Sequence, residues 1–165
     1  MSIITNVRTI RLEQFPNSIW VEIETDENLT GLGEAWRGTA AIETIIHHDI
    51  CPWLIGQDSR NIELISRTLL TPYVGFHSAS AEVRAASAID IALWDLAGKR
   101  HSIPVYEALG GASRSSIQVY NTCSGYSFNA SSSAYNSGSS RRMITDKDEM
   151  RGPYDDQVAF NRDAG

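Results

Sequence analysis

The sequence is poor in residues that whole classes of protein depend on. Its 165 residues include two cysteines, Cys51 and Cys123, and two lysines, Lys99 and Lys147. Two cysteines outside any Cys-x-x-Cys pair argue against a disulfide framework and favour reduced thiols in a cytoplasmic protein. A formal net charge of −6 without a basic cluster argues against nucleic acid and anionic membranes as partners.

Long apolar runs are also missing. No segment approaches the roughly 20 consecutive apolar residues that a transmembrane helix requires. Residues 1–10 contain neither a continuous apolar core nor a small-residue cleavage site, so we expect no signal peptide. The hydrophobic content of 42% and the charged content of 21% are typical of a soluble globular protein. This length predicts one domain of ordinary size with a short additional segment.

Alternation of apolar and polar residues marks the N-terminal part of the chain. Residues 19–25, IWVEIET, alternate cleanly, and residues 3–13 alternate more loosely. A turn-forming stretch then precedes a short third segment, TGLGEAW, at residues 30–36. This spacing predicts an antiparallel three-stranded meander. Gly31 and Gly33 would weaken its last strand unless a backbone or a ligand must approach that strand closely.

A helical period replaces the alternation from Thr39 onward. Apolar residues recur there at three- and four-residue steps, namely Ile42, Ile45, Ile46, Ile50 and Trp53. They predict a helix with one buried face, which we expect Pro52 and Gly56 to end. Asp58 or Ser59 is the expected N-cap of a second helix. The buried face of that second helix carries Ile62, Ile65 and Leu69.

The third predicted helix, residues 81–97, contains charged residues in an apolar sequence. Its segment AIDIALWDLAGK places Asp90, Asp95 and Lys99 among apolar side chains. Asp95 and Lys99 stand four residues apart with the acid first, so we expect them to pair near the helix end. Because a helix that is apolar on most sides is buried on most sides, we interpret all three residues as structural rather than catalytic.

The stretch GLGEAWRG, residues 31–38, invites a functional interpretation. Its glycine spacing does not match GxGxxG and its surroundings are a meander, which argues against dinucleotide binding. Trp36 and Arg37 lie between a strand end and a helix. They could offer an aromatic wall and a carboxylate-binding fork to a small acid. The alternative is a half-buried tryptophan beside a solvent-exposed arginine.

The histidines give a weaker signal. His47 and His48 are adjacent on a predicted helix, where neighbouring side chains diverge by about 100°, so they cannot easily share one metal ion. His77 lies in a predicted loop and could either contact a ligand or be an ordinary loop residue. The chain contains no GxSxG and no cysteine with a histidine in a recognised frame, so nucleophilic hydrolysis has little support.

The chain changes character after the third helix. Gly98 and Pro104 are expected to bracket the helix exit, and IPVYEALGG predicts one further helical turn. SSIQVYNTC, residues 115–123, is typical of a strand. Residues 127–140 contain seven serines in fourteen positions, which predicts a flexible loop or linker. We expect ordered structure to end near residue 126.

Several segments together resemble one family. IWVEIETDENLTGLGEAW, PWLIGQD, AIDIALWDLAGK, IPVYEALGG and IQVYNTC occur in order and with suitable spacing across about residues 3–126. They resemble the N-terminal part of the enolase superfamily, and within it the mandelate racemase and muconate lactonizing enzyme group. The resemblance implies an α+β capping domain at residues 1–114, a meander followed by a helical bundle. Residues 115–126 would be the first strand of a (β/α) barrel, and residues 127–165 a flexible loop or incomplete barrel segment.

The resemblance also implies a chemistry. Members of this group abstract the proton α to the carboxylate of a small acid, using a Lys or His base and Mg²⁺. Neither Lys99 nor Lys147 belongs to a Lys-x-Lys pair, so we expect no catalytic base and no metal ligand in this chain. An acid-sugar dehydratase is the first expectation, followed by a racemase or cycloisomerase. The full-length protein is expected to be a homo-oligomer acting on a small carboxylic acid or acid sugar.

By the same resemblance, two loops of the cap would close over the substrate. Here they correspond to Phe15–Ser18 and Ala35–Gly38, and Asn121 at the end of the first barrel strand would face the active site. With His77, the candidate substrate-binding residues are Phe15, Trp36, Arg37, His77 and Asn121. The alternative hypothesis is a stand-alone cap-like module for binding or oligomerisation, without catalysis.

Overall fold

A computed structural model describes residues 1–72 and 80–119. These residues belong to two compact units, one formed by residues 1–12 and 18–115 and the other containing residues 13–17 and 116–119. The first unit holds all helices and strands of the described residues. In chain order they are β1 (Ile4–Ile10), β2 (Ser18–Thr25), β3 (Thr30–Trp36), α1 (Thr39–Thr44), a π-helical segment (Ile45–Ile50), α2 (Cys51–Leu54), α3 (Ile62–Leu70), α4 (Ala81–His101) and α5 (Val105–Ala108).

The three strands form an antiparallel sheet in the order β1-β2-β3. Val21 of β2 stands opposite Thr9 of β1 and Gly33 of β3. Along β2 the aliphatic residues Ile19, Val21 and Ile23 are buried, whereas the glutamates are only half-buried, as the period of two predicts. The predicted meander is confirmed, and with the helices on one face the unit is an α+β domain.

Helices and sheet share a single apolar core. Its fully buried large side chains come from the inner face of the sheet and from the helical segments, namely Ile4, Ile19, Val21, Ile23, Ile42, Ile46, Leu54, Ile65, Ile89, Leu93 and Leu96. The predicted burial of α4 holds on the sides that meet the sheet and the other helices. The remaining side of α4 carries Ile91, which is 49% exposed.

Two glycines allow the longest helix to lie against the last strand. A Cβ atom on Gly33 would stand 1.9 Å from the carbonyl oxygen of Ala88, and one on Gly31 would stand 2.1 Å from that of Ala92. Any side chain at these positions would therefore separate β3 from α4. The sequence left open whether a backbone or a ligand approaches this strand closely, and in the structure it is the backbone of α4.

The first helical stretch runs without interruption from Thr39 to Leu54, but not as one α-helix. Its middle widens into the π-helical segment before α2 begins. Pro52 stands in the first turn of α2, where its missing amide hydrogen is tolerated, so the prediction that Pro52 ends the helix is wrong. The stretch ends where Ile55 becomes extended and Gly56 takes a φ of +91°.

The predicted ends of the other helices need correction. Asn61, not Asp58 or Ser59, precedes α3, because the Asp58 carboxylate accepts hydrogen bonds from Arg60 instead. Helix α4 continues past Gly98 to His101, and Ser102 ends it in a left-handed conformation. The amide of Ile103 donates to the carbonyl of Gly98 and the amide of Ser102 to that of Lys99, which is a Schellman termination.

The second unit contains part of the predicted barrel strand. Residues 116–119 form no strand. The remainder of the predicted strand, and the serine-rich segment, lie outside the described residues. No helix within residues 1–72 and 80–119 is long and apolar enough to cross a membrane.

Candidate functional site

The turn between β3 and α1 has an unusual backbone. Arg37 has a φ of +62° and Gly38 a φ of +73°, so two consecutive residues are left-handed. Glycine adopts this region freely, whereas a positive φ is uncommon for arginine. The carbonyl of Gly38 accepts the first hydrogen bond of α1, from Ile42. The turn is therefore fixed at one end by β3 and at the other end by α1.

The side chains of this turn stack on each other. The guanidinium carbon of Arg37 lies 4.5 Å from the centre of the Trp36 ring. Trp36 remains 44% exposed, and Arg37 is half-buried. A cation–π contact at such a site contributes about 0.5–1 kcal/mol and orients the guanidinium. The pair thus joins an aromatic surface to a planar group whose N–H donors match a carboxylate.

The predicted substrate-binding residues are only partly brought together. Trp36 and Arg37 are in contact within the first unit. Phe15, which is 50% exposed, belongs to the second unit. His77 and Asn121 lie outside the described residues.

The charged residues of α4 are engaged within the fold. The Asp95 carboxylate accepts hydrogen bonds from the Leu32 amide at 2.8 Å and from the Lys99 ammonium at 2.7 Å. Lys99 also donates to the carbonyl of Thr30, at 2.6 Å. Asp90 accepts a hydrogen bond from the hydroxyl of Ser66 on α3. The predicted pairing of Asp95 with Lys99 is confirmed, and Asp90 also has a structural partner.

The two adjacent histidines point to different partners. His47 Nε2 lies 2.8 Å from the hydroxyl of Thr9, and His48 Nδ1 lies 2.8 Å from the carboxylate of Asp49. The two rings thus have separate hydrogen-bond partners. Burial raises the pKa of the neighbouring Cys51 thiol, which disfavours the thiolate that a nucleophile or metal ligand requires.

The described residues do not provide a site for Mg²⁺. Within residues 1–72 and 80–119, no three His, Cys, Asp or Glu side chains converge on a point where a metal ion could bind. The Glu43 carboxylate is engaged by protein groups, since it accepts hydrogen bonds from the Arg11 guanidinium and the Thr9 hydroxyl. The Arg11 guanidinium holds the pKa of Glu43 below its ordinary value.

A polar network around Arg100 was missed by the sequence analysis. The Arg100 guanidinium donates to the hydroxyls of Ser2 and Ser59, at 2.6 and 2.8 Å, and to the carboxylate of Glu27, at 3.1 Å. Both serines are fully buried. The Ser2 hydroxyl, and then the Arg100 guanidinium, hold the pKa of Glu27 below its ordinary value. No local pattern signals these contacts, because the partners are 41 to 98 residues apart.

A family model matches most of the first unit. Residues 6–110 match the N-terminal domain of the mandelate racemase/muconate lactonizing enzyme family. The chain is 36% identical to a D-mannonate dehydratase of Rhizorhabdus wittichii over 74% of its own length and 31% of the relative's length. It is 38% identical to a D-galactonate dehydratase of Ralstonia nicotianae, again over 74% of this chain and 31% of that protein.

Solved structures of enolases are also similar to this chain in sequence and in fold. An enolase protein from the environmental genome sequencing of the Sargasso Sea is 57% identical, with a TM-score of 0.70 over 76% of this chain and 34% of that one. An enolase from Pantoea ananatis with bound D-gluconate and Mg is 37% identical, with a TM-score of 0.63 over 69% of this chain and 28% of that one. The chain thus spans about a third of the length of the proteins it matches.

Proposed function

Because the chain belongs to the mandelate racemase/muconate lactonizing enzyme family of the enolase superfamily, we propose that it is the N-terminal portion of an acid-sugar dehydratase. The main support for this proposal is the sequence identity of 36–38% to a D-mannonate dehydratase and a D-galactonate dehydratase across 74% of the chain. The relative with bound D-gluconate and Mg supports the same substrate class. A racemase or cycloisomerase of the same family is the second candidate.

The proposed reaction begins at the carbon next to the carboxylate. A base removes the α-proton, and the electron pair of that C–H bond moves toward the carboxylate. The β-hydroxyl then leaves as water after receiving a proton, and the resulting enol becomes a 2-keto acid. Bound Mg²⁺ would lower the barrier to the first step by stabilising negative charge on the carboxylate. We assign both the base and the Mg²⁺ ligands to the part of the longer protein beyond this chain.

In this proposal the described residues form a cap over the substrate. Residues 1–114 are the capping domain, residues 115–126 the first barrel strand, and residues 127–165 a loop or incomplete barrel segment. The turn Ala35–Gly38 and the segment Phe15–Ser18 would contact the substrate, with further contacts from His77 and Asn121. Trp36 would supply an apolar wall and Arg37 a donor fork for an anionic or hydroxylated group. We further propose that the longer protein is a homo-oligomer.

The test uses the longer protein encoded by the reading frame that contains this chain. It is incubated with Mg²⁺ and a panel of acid sugars, and 2-keto acid formation is measured. We expect dehydration of at least one acid sugar, and a KM about tenfold higher in an Arg37→Met variant because one charge-assisted contact is lost. Arg84→Met, on the exposed side of α4, is the control. Absence of dehydration, racemisation and cycloisomerisation across the panel would contradict the proposal.

A further inference from the structure

Helix α4 holds β3 along the edge of the sheet that no other strand covers within the described residues. Its backbone touches the strand at two points, where the carbonyls of Ala88 and Ala92 face Gly33 and Gly31. Proceeding along the helix, the contact points move back along the strand, away from Trp36. The helix therefore fixes the strand that leads into the candidate substrate-binding turn.

Two side chains of α4 complete this attachment. Asp95 accepts a hydrogen bond from the Leu32 amide, and Lys99 donates one to the Thr30 carbonyl. These are backbone groups on the outer edge of β3, where another strand would otherwise pair. The salt bridge between Asp95 and Lys99 holds both side chains in the orientation that the two contacts require. We name these two residues with their strand contacts the β3 clamp.

The β3 clamp acts on the first half of the strand that ends at the turn carrying Trp36 and Arg37. Leu32 precedes Trp36 by four residues of extended strand, a distance of about 13 Å. β3 is paired with β2 over its whole length, up to the pair Ser18 and Trp36, so a displacement of the strand is passed on to the turn. Under the proposed function the turn contacts the substrate without supplying a reacting group, so its displacement would weaken substrate binding rather than slow the chemical step.

We propose that Asp95 and Lys99 are positioning residues, which fix the turn Ala35–Gly38 for substrate contact by holding the edge of β3. This inference rests on the proposed function for its catalytic consequence, but not for its structural one. Neither residue touches substrate in this role. A purely structural role would predict a general loss of stability, whereas the β3 clamp predicts loosening confined to β3 and the turn.

The first test measures amide hydrogen exchange in the full 165-residue chain. In Asp95→Ala we expect exchange of the Leu32 amide and of the amides of residues 35–38 to become about tenfold faster, because a hydrogen bond to a charged group is lost. Amides in the interior of β1 should be unchanged. Glu63→Ala is the matched control, since Glu63 pairs with Arg67 at the same spacing on α3 but is 85% exposed.

Milder variants keep this test decisive if Asp95→Ala unfolds the chain. Lys99→Met removes the donor to Thr30, and Lys99→Arg keeps a cation with donors in reach. We expect Lys99→Met to accelerate exchange in residues 30–38 and Lys99→Arg to restore most of the protection. Equal acceleration of all amides, or unchanged exchange in residues 35–38, would overturn the proposal.

The second test measures steady-state kinetics in the longer protein. Lys99→Met should raise the KM for the acid sugar several-fold while kcat stays within about twofold, and Lys99→Arg should bring KM back. An unchanged KM despite faster exchange in the turn would show that the β3 clamp does not position it for substrate. If the unmodified protein dehydrates no acid sugar, the proposed function fails, and the exchange measurement alone decides the structural claim.

Discussion

Arg100 joins three segments of the chain that are far apart in sequence. From the last turn of α4 its guanidinium reaches Ser2 before β1, Glu27 in the turn after β2, and Ser59 before α3. The arginine side chain is only 15% exposed. Within the described residues every buried side-chain nitrogen and oxygen has a hydrogen-bond partner, so each serine hydroxyl is satisfied in this network. Residues that act in this way stabilise the fold through polar contacts rather than through apolar burial.

The first prediction concerns this network. Arg100→Met should lower the free energy of unfolding by about 2–4 kcal/mol, because two buried hydroxyls lose a charged donor and cannot reach water. Urea denaturation followed by circular dichroism measures the effect. Arg67→Met, which removes a 78% exposed arginine on α3, should change the value by no more than about 0.5 kcal/mol. Equal losses in the two variants would contradict this account.

A second prediction at the residue scale concerns pH. Hydrogen bonds from the Arg60 side chain, with further ones from the amides of Arg60 and Ser2, hold the pKa of Asp58 well below its ordinary value. A carboxyl whose folded pKa is lowered stabilises the fold fully above its unfolded pKa of about 3.9. This contribution is lost progressively as the pH falls below that value toward the folded pKa.

Asp58→Asn should therefore be less stable than the unmodified chain at pH 6, and the difference should shrink as the pH falls from about 4 toward 2. Urea denaturation at a series of pH values checks this. Glu63→Gln, at an exposed carboxyl on α3, provides the comparison and should follow the unmodified chain. A constant difference between Asp58→Asn and the unmodified chain over the whole pH range would show that Asp58 does not act through its charge.

At the scale of elements, the contact between β3 and α4 determines how the domain is assembled. A strand and a helix usually pack through their side chains, which keep the two backbones apart. Here Gly31 and Gly33 allow two backbone carbonyls of α4 to approach the strand directly. The close approach brings Asp95 and Lys99 within hydrogen-bonding distance of the strand edge. The glycines and the charged pair are therefore parts of one arrangement.

The third prediction tests this arrangement. Gly33→Ala should destabilise the domain by about 3 kcal/mol or more, because the new methyl group would overlap the Ala88 carbonyl oxygen and force β3 away from α4. Gly38→Ala is the control, since nothing lies within 4 Å of a Cβ at Gly38 and its φ is +73°. The control should lose about 1 kcal/mol through backbone strain alone. Similar losses in the two variants would contradict direct backbone contact.

At the scale of the whole molecule, the curated relatives of this chain are about two and a half times as long as the chain itself. The described residues contain a complete sheet and core but no convergent set of metal ligands. Beside α4 they leave an open groove of about 610 Å³, whose lining combines apolar residues with charged ones, namely Leu32, Ile91, Trp94, Val105 and Leu109 with Asp90, Asp95 and Lys99. The α+β unit agrees with the proposal that the chain supplies a cap, and that proposal assigns the reacting groups to the remainder of the longer protein.

The fourth prediction follows from that division of roles. The 165-residue chain alone, with Mg²⁺ in deuterated water, should not exchange the α-hydrogen of any acid sugar at a rate above that of buffer. Proton NMR of the sugar measures the exchange, and the longer protein is the positive control. Catalysed exchange by the chain alone would contradict the assignment of the base and metal ligands to the remainder. A stable monomer whose longer form is also inactive would favour the alternative of a stand-alone binding module.

Much of the architecture could be predicted from local patterns. The period of two in residues 19–25 and the three- and four-residue steps after Thr39 correctly indicated the meander and the helices, because burial of one face selects these periods. Helix ends were predicted less well. Pro52 is tolerated in its helical stretch because a π-helical segment precedes it. Gly98 lies inside α4, where the carbonyl oxygen of Ile103 comes within 2.9 Å of the position a Cβ would take. Neither feature can be recognised from the neighbouring residues in the sequence.

The sequence by itself determined the α+β meander with its helices and the membership of the enolase superfamily, since these depend on periodicity and on the order of short segments. It also indicated that Asp95 and Lys99 pair, because residues four apart on a helix are neighbours. Only the tertiary structure decided that the pair holds the edge of β3 and that Arg100 reaches two buried serines. Those contacts join residues 41 to 98 positions apart, and which distant groups meet is settled by how the elements pack.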